Sequence, residues 1–161
     1  LIQTCCFTGH RPQSFPWKYN EADPDATAEF RLKRQIIQAV KQDGVRHFLT
    51  GMAWGRYLGS GDCAVSAQAV VPYPGGVIPC KGQDARWPSE CRERYQSILK
   101  QCDKVTLLQD SYTPDCFDKR NRYMIDHSNL VIAVWNGSPS GTGNTVVYAK
   151  SKRKLVREIT P

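Results

Sequence analysis

Apolar residues in this chain gather in short runs, several closed by a glycine-bearing turn and followed by a stretch of helical period. Ile2 to Phe7 reads as a strand and ends on Thr8-Gly9-His10-Arg11-Pro12. Asp23-Pro24 is a helix start, with Asp as cap and Pro at the first helical position. Phe30, Ile36, Ile37 and Val40 predict one buried face for that helix, and Gly44 ends it. Val45 and His47-Phe48-Leu49 predict a second strand, running into Thr50-Gly51-Met52-Ala53-Trp54-Gly55. From Arg56 to Asp62 no helical period appears, although a parallel sheet needs a crossover there. Ala64 to Val71 fits a short helix or a strand. Pro72-Tyr73-Pro74-Gly75-Gly76 reads as a turn, with Val77-Ile78-Pro79-Cys80 resuming as a strand end.

The second half of the chain is more regular. A polar loop from Lys81 to Pro88 carries Trp87, and Ser89 to Gln101 predicts a helix burying Tyr95, Ile98, Leu99 and Cys102. Val105 to Leu108 predicts a strand and Asp115 to Ser128 a helix. Leu130-Val131-Ile132-Ala133-Val134-Trp135 is continuous, rich in β-branched residues and uncharged, as a buried parallel strand would be. Ser138 to Thr145 then reads as a glycine-rich turn, Val146 to Lys152 as a short helix, and Leu155 to Ile159 as an edge strand.

Strand, glycine loop and helix recur three times, and that changes the chemistry on offer. In open parallel sheets, ligands collect outside the carboxyl ends of the strands. Glycine lets the backbone approach a phosphate closely, and free N–H groups at a helix start attract anions. The first loop offers Thr8, Gly9, His10 and Arg11, the second Gly51, Met52 and Ala53, the third Gly141, Thr142, Gly143 and Thr145. Arg11 suits a charge-assisted phosphate contact, while His10 serves equally as a ligand or a local cap. Asn121 is a poor helix former, so with Arg120 it suggests a side-chain task, either a ligand contact or an inter-helix hydrogen bond. Trp135 at a strand's carboxyl end suits base stacking or core contact alike. Phe15, Trp17 and Tyr19 read as a lid over the sheet edge more readily than as a stacking wall.

Composition narrows the class further. The 161 residues, 40% hydrophobic and 23% charged, suit one globular domain spanning residues 1–161. No apolar run reaches the ~20 residues of a bilayer span. The chain opens on a strand-like segment without a basic leader, and Leu1 implies a trimmed or incomplete N-terminus. Seven cysteines without paired spacing and three histidines give no metal-ligand pattern. Reduced thiols and a cytoplasmic location are expected. The net charge of +7 suits a polyanionic ligand. Much of it, though, sits in Lys150, Lys152, Arg153, Lys154 and Arg157, which also read as a solvated helix end.

Five ordered motifs carry a family resemblance: Cys6-Phe7-Thr8-Gly9-His10-Arg11-Pro12; Thr50-Gly51-Met52-Ala53-x-Gly55; Pro79-Cys80-x-Gly82-Gln83-x-x-x-Trp87; Arg120-Asn121-x-x-Met124-x-Asp126-x-Ser128; and Ala133 through Ala149, with Gly137, Gly141, Thr142, Thr145 and Tyr148. Together they resemble the YpsA-like family of the SLOG superfamily, which also holds the Smf/DprA proteins and the LOG phosphoribohydrolases. The resemblance implies a Rossmann-like three-layer α/β/α domain with a mainly parallel sheet. It further implies a nucleotide or nucleotide-derived ligand, with pairing of subunits left open.

Two departures matter. LOG enzymes keep a glutamate after their Pro-Gly-Gly-x-Gly-Thr signature, whereas Pro139 to Val147 here contains no carboxylate. Cleavage of an N-glycosidic bond needs such a group, so that activity does not carry across. The second departure is residues 56–76, where Leu58 to Asp62 reads as a genuine divergence or as a compensated frameshift of Trp-Ala-Ala-Glu. The expectation is therefore a nucleotide-binding domain without cofactor, metal or membrane. An enzyme acting on a nucleotide and a DNA-associated module are the alternatives. Nucleic acid is not the expected partner, since no base-reading helix or appended DNA domain is apparent. Asp126 is the candidate general base if there is chemistry, and a catalytic role for Cys80 is disfavoured because no histidine is placed beside it.

Overall fold

A computed structural model describes residues 3–10, 27–52 and 73–160, the side chains of residues 27–30 excepted. Arg11, Ala53, the aromatic stretch 12–20, Asp23-Pro24 and the divergent segment up to residue 72 lie outside the described residues. Ten elements follow in order: β1 (Thr4–Gly9), α1 (Thr27–Lys41), β2 (His47–Thr50), β3 (Tyr73–Ile78), α2 (Ser89–Gln101), β4 (Lys104–Leu107), α3 (Cys116–Asp126), β5 (Leu130–Val134), α4 (Gly141–Ser151) and β6 (Leu155–Ile159).

The strands form one six-stranded sheet in the order β4-β3-β2-β1-β5-β6, every neighbouring pair parallel. Side-chain alternation then assigns the helices to faces. Cys5, Phe7, Phe48, Leu130 and Ile132 meet Leu32, Ile36 and Ala39 of α1 on one side. Cys6, Val77 and Val131 meet Met124 and Ile125 of α3 and Ala149 of α4 on the other. Ile78 shares the α1 side through the register Thr50↔Gly76, and it meets Tyr95 and Ile98 of α2. This is a Rossmann-like α/β fold.

The chain departs from the sequence reading at three places. Pro74, Gly75 and Gly76, read as a turn, lie inside β3. The Pro74 carbonyl accepts from Asp103 N–H at 2.8 Å, so its nitrogen faces the same neighbour, whose ladder begins only at Gly75↔Lys104. The proline ring therefore removes no ladder bond. A Cβ at Gly75 would sit 3.1 Å from Leu49 Cδ2, and one at Gly76 3.2 Å from Leu99 Cδ2. These glycines give room to side chains crowding both faces of the sheet, which is a strand role rather than a turn role.

On α1 the buried stripe is Leu32, Ile36 and Ala39, while Ile37 is 39% exposed. A 3–4 spacing explains the stripe, and Ile37 falls one residue off it. Helix α4 begins at Gly141, so the glycines read as a loop form its first turn. Ser140 is extended, with φ −171°, and its Oγ accepts from Gly143 N–H at 3.0 Å. That N-cap is what lets two glycines start a helix. Gly44, with φ +75°, ends α1 in the left-handed conformation that favours glycine.

Candidate functional site

β1 leads through α1 to β2 on one side of the sheet, whereas β5 lies on the other side of β1. The chain thus reverses direction between β1 and β5, and a crevice forms outside the carboxyl ends at such a switch point. Gly9-His10, Thr50-Gly51-Met52 and Trp135-Asn136 leave that one edge from three adjacent strands. The first and third of the expected loops are joined directly. His10 Nε2 lies 2.8 Å from Asn136 Oδ1, and the His10 N–H donates to Val134 O at 3.1 Å. Asn136 Oδ1 also accepts from Ser138 N–H at 3.0 Å and from Ser138 Oγ at 2.6 Å. The Asn136 N–H also donates to His10 Nε2 at 3.3 Å, so both the side chain and the backbone of Asn136 meet that one ring nitrogen.

The β5–α4 connection is braced from below. Trp135 Nε1 donates to Ser138 O at 2.8 Å, so the half-buried indole is tied to its own loop. A Cβ on Gly143 would lie 3.0 Å from Ser138 O and 3.3 Å from Trp135 Cζ2. Asn144 N–H donates to Ser140 O at 2.9 Å. Of the first four N–H groups of α4, those of Gly143 and Asn144 are therefore satisfied by Ser140. Those of Gly141 and Thr142 have no hydrogen-bond partner among the described residues and carry the positive end of the helix dipole. Thr145 differs from expectation, because its hydroxyl donates to Gly141 O at 2.9 Å. Thr142 is buried.

The second loop is held by α3. Arg120 is only 7% exposed, and its Nη1 donates to Gly51 O at 3.0 Å. Its Nε and Nη2 reach Asn121 Oδ1 at 3.4 and 3.2 Å. These bonds make Arg120 and Asn121 supports of the β2 loop. Met52 is buried with φ +52°, a conformation that costs a non-glycine residue roughly 1–3 kcal/mol. Thr50 Oγ1 accepts from Met52 N–H at 3.3 Å, and Gln83 Nε2 donates to Met52 O at 3.4 Å. Such strain, held by its surroundings, collects where a loop must keep one shape.

Acid–base and nucleophilic candidates fare differently. Helices run opposite to the strands, so α3 starts at the carboxyl edge and ends at the amino edge. Asp126 lies six residues beyond Arg120, about 9 Å further along the helix axis and away from the loops. Its carboxylate accepts from Tyr148 Oη at 2.9 and 3.2 Å, linking α3 to α4. Asp115, at the start of α3, is held below the usual carboxylate range by the Thr113 hydroxyl and by Lys119. Asp84 is buried against Arg92, Nε to Oδ2 3.6 Å. The Cys80 thiol is buried and pushed up chiefly by that burial, then by the Cys116 thiol beside it. Among the described residues no group of three or more His, Cys, Asp or Glu could hold a metal ion.

Asn136 is the member of this network that the sequence reading passed over, whereas Ser138 entered it only as the start of the glycine-rich turn. The signal was present: Asn-Gly directly after a buried strand, with Gly137 at φ +87°, marks a tight turn whose asparagine bonds its own backbone.

Comparison with known proteins agrees with this architecture. The sequence profile described as the YspA SLOG family (YpsA) matches residues 5–159. The chain belongs to this family. Among curated proteins, this SLOG-family chain is similar to the uncharacterized SPbeta prophage-derived protein YoqJ of Bacillus subtilis (strain 168). Identity there is 29% over 134 residues, covering 74% of this chain and 78% of the relative. A UPF0398 protein of Bacillus thuringiensis (strain Al Hakam) is 25% identical over 158 residues, covering 94% and 84%. A solved structure of DNA processing protein A from Helicobacter pylori, reported for its single-stranded DNA binding mode, superposes with a TM-score of 0.65. It is 16% identical, with 99% of this chain and 66% of that one covered, so the likeness is one of fold. No helix among the described residues is long and apolar enough to cross a membrane.

Proposed function

We propose that this YpsA-family chain binds a phosphorylated nucleotide across the carboxyl edge of its sheet, at the switch point between β1 and β5. The observation that carries the reading is the start of α4. There two N–H groups without described partners lie beside the His10–Asn136–Ser138 network, in a chain of net charge +7. A phosphate at that point completes the helix's own unsatisfied donors and meets its positive dipole end. The strained Met52 loop, with Arg120 beneath it, offers a second fixed wall two strands away. Arg11, next to His10 in sequence, is the expected guanidinium partner of the phosphate.

The reading is one of binding rather than hydrolysis. Asp84 is held by Arg92 and Asp115 by Thr113 and Lys119, and Asp126 belongs to the opposite edge. Hydroxyls and amides can hold a phosphate, yet they do not stabilise a developing oxocarbenium ion.

A second reading follows from the Helicobacter pylori neighbour: a single-stranded nucleic acid, rather than a free nucleotide, occupies the same edge. It revises the expectation that nucleic acid is no partner. Calorimetric titration separates the two readings, using AMP, GMP, CMP and UMP in parallel with a short oligothymidylate. Saturable binding of a mononucleotide supports the first reading, and binding of the oligonucleotide alone supports the second. Arg11→Ala should weaken the mononucleotide by about 1.5–3 kcal/mol, the worth of a hydrogen bond to a charged group.

A further inference from the structure

Large rings left in water beside a ligand edge ask for an explanation, and two of them stand at the start of α3. Tyr112 is 65% exposed and Phe117 36% exposed, with ring centroids 6.3 Å apart at an angle of 61°. Phe117 is not loose. The Arg120 guanidinium carbon lies 5.3 Å from its ring centroid, and that guanidinium is itself fixed on Gly51 of the β2 loop. The loop carrying Tyr112 is fixed as well. Gln109 Nε2 donates to Ser111 O at 2.6 Å and to Thr113 Oγ1 at 2.9 Å, while Thr113 Oγ1 donates to Asp115 Oδ1 at 2.7 Å. The Phe117 ring is therefore held in place before any ligand arrives, and the backbone that carries Tyr112 is pinned beside it, which lowers the cost of binding.

We infer that Tyr112 and Phe117 form a base-stacking platform for the nucleotide whose phosphate lies at the start of α4. The inference rests on the nucleotide reading above and adds to it the place of the base. From β5 to β2 is two interstrand spacings, about 10 Å. An extended purine nucleoside monophosphate spans about that length from its phosphate to the far edge of its base. Arg120 ties the aromatic pair to the β2 end of that span. A ring face reads no particular base, so the platform favours large purine faces over pyrimidines and discriminates weakly among purines.

The test is calorimetry with AMP, CMP, ribose 5-phosphate and a short oligothymidylate on wild type and on Phe117→Leu/Tyr112→Ser. Leucine keeps apolar bulk over Arg120 while removing the ring, and unchanged thermal unfolding confirms that the double variant is folded. In wild type, AMP should bind about tenfold or more tighter than ribose 5-phosphate, and tighter than CMP. In the double variant AMP should fall to the level of ribose 5-phosphate, whose own affinity stays unchanged. Equal binding of AMP and ribose 5-phosphate in wild type would overturn the platform while leaving the phosphate site standing. So would equal losses of both ligands in the variant. Binding of the oligothymidylate without AMP would overturn the mononucleotide as occupant. Absence of binding by every phosphate compound would overturn the platform and the site together.

Discussion

Arg120 donates through Nη1 to the carbonyl oxygen of Gly51 at 3.0 Å, and a Cβ built on Gly51 would come within 2.7 Å of Arg120 Nε. The buried guanidinium and the bare glycine are thus complementary, and the β2 loop keeps its shape through them. Gly51→Ala should destabilise the fold by about 1–3 kcal/mol, the usual cost of overpacking. Gly51→Ala/Arg120→Ala should lose less than the sum of its two single variants, since removing the guanidinium relieves the clash. Urea unfolding of the four proteins measures this. A Gly51→Ala change within about 0.5 kcal/mol of wild type would show that the contact is not tight.

Gly143 poses the opposite question, because it lies inside a helix. Helix propensity alone would make Gly143→Ala stabilising by up to about 1 kcal/mol. The new Cβ, however, would stand 3.0 Å from the Ser138 carbonyl and 3.3 Å from the Trp135 ring. The backbone oxygen cannot swing aside, so the substitution should destabilise and should shift the tryptophan emission. A higher unfolding midpoint in Gly143→Ala would contradict this account of the β5–α4 loop.

Much of the fold was legible because the relevant signals are local. Leu130 to Val134 is a buried run that could be little else, and Ser89 to Gln101 carries its stripe at helical spacing. β3 was not legible. Pro74, Gly75 and Gly76 are turn residues by every local rule, and only their neighbours, Leu49, Leu99 and the late start of β4, make them a strand. Of the candidate site, the three loops were visible as glycine patterns. The division of labour within them was not. That Thr145 donates back to Gly141, or that Asp126 ends at the far edge, depends on helix direction and length rather than on residue type.

The position of Asp126 yields a direct expectation. Wild-type protein incubated with AMP, GMP, CMP and UMP should release no free base at an enzymatic rate. Asp126→Asn should leave nucleotide affinity unchanged, because its partner Tyr148 and the end of α3 face away from the loops. Chromatography of the free bases and calorimetry of the variant check both halves. Base release abolished by Asp126→Asn would convert the binding reading into an enzymatic one.

Burial also writes a pH dependence into the core. Cys6 is buried in β1, and desolvation pushes its thiol up to about 12 from an ordinary value of 9.0; burial raises the neighbouring Cys5 as well. The folded state therefore holds these protons more tightly than the unfolded chain. Their stabilisation is complete below pH 9 and is lost as pH rises toward 12, at up to about 1.4 kcal/mol per pH unit for each thiol. Unfolding by urea at pH 8 and pH 10 should show the decline, with a shallower slope in Cys6→Ala. Equal slopes in the two proteins would remove Cys6 from the explanation.

Ligand binding is proposed for the carboxyl edge between β1 and β5. Backbone amide shifts in a heteronuclear NMR titration with AMP test it most directly. Gly9, His10, Gly141 and Thr142 should move together along one saturable curve, while Lys104, Asn129 and Leu155 at the amino edge stay in place. Shifts confined to the amino edge, or none at saturating AMP, would contradict it.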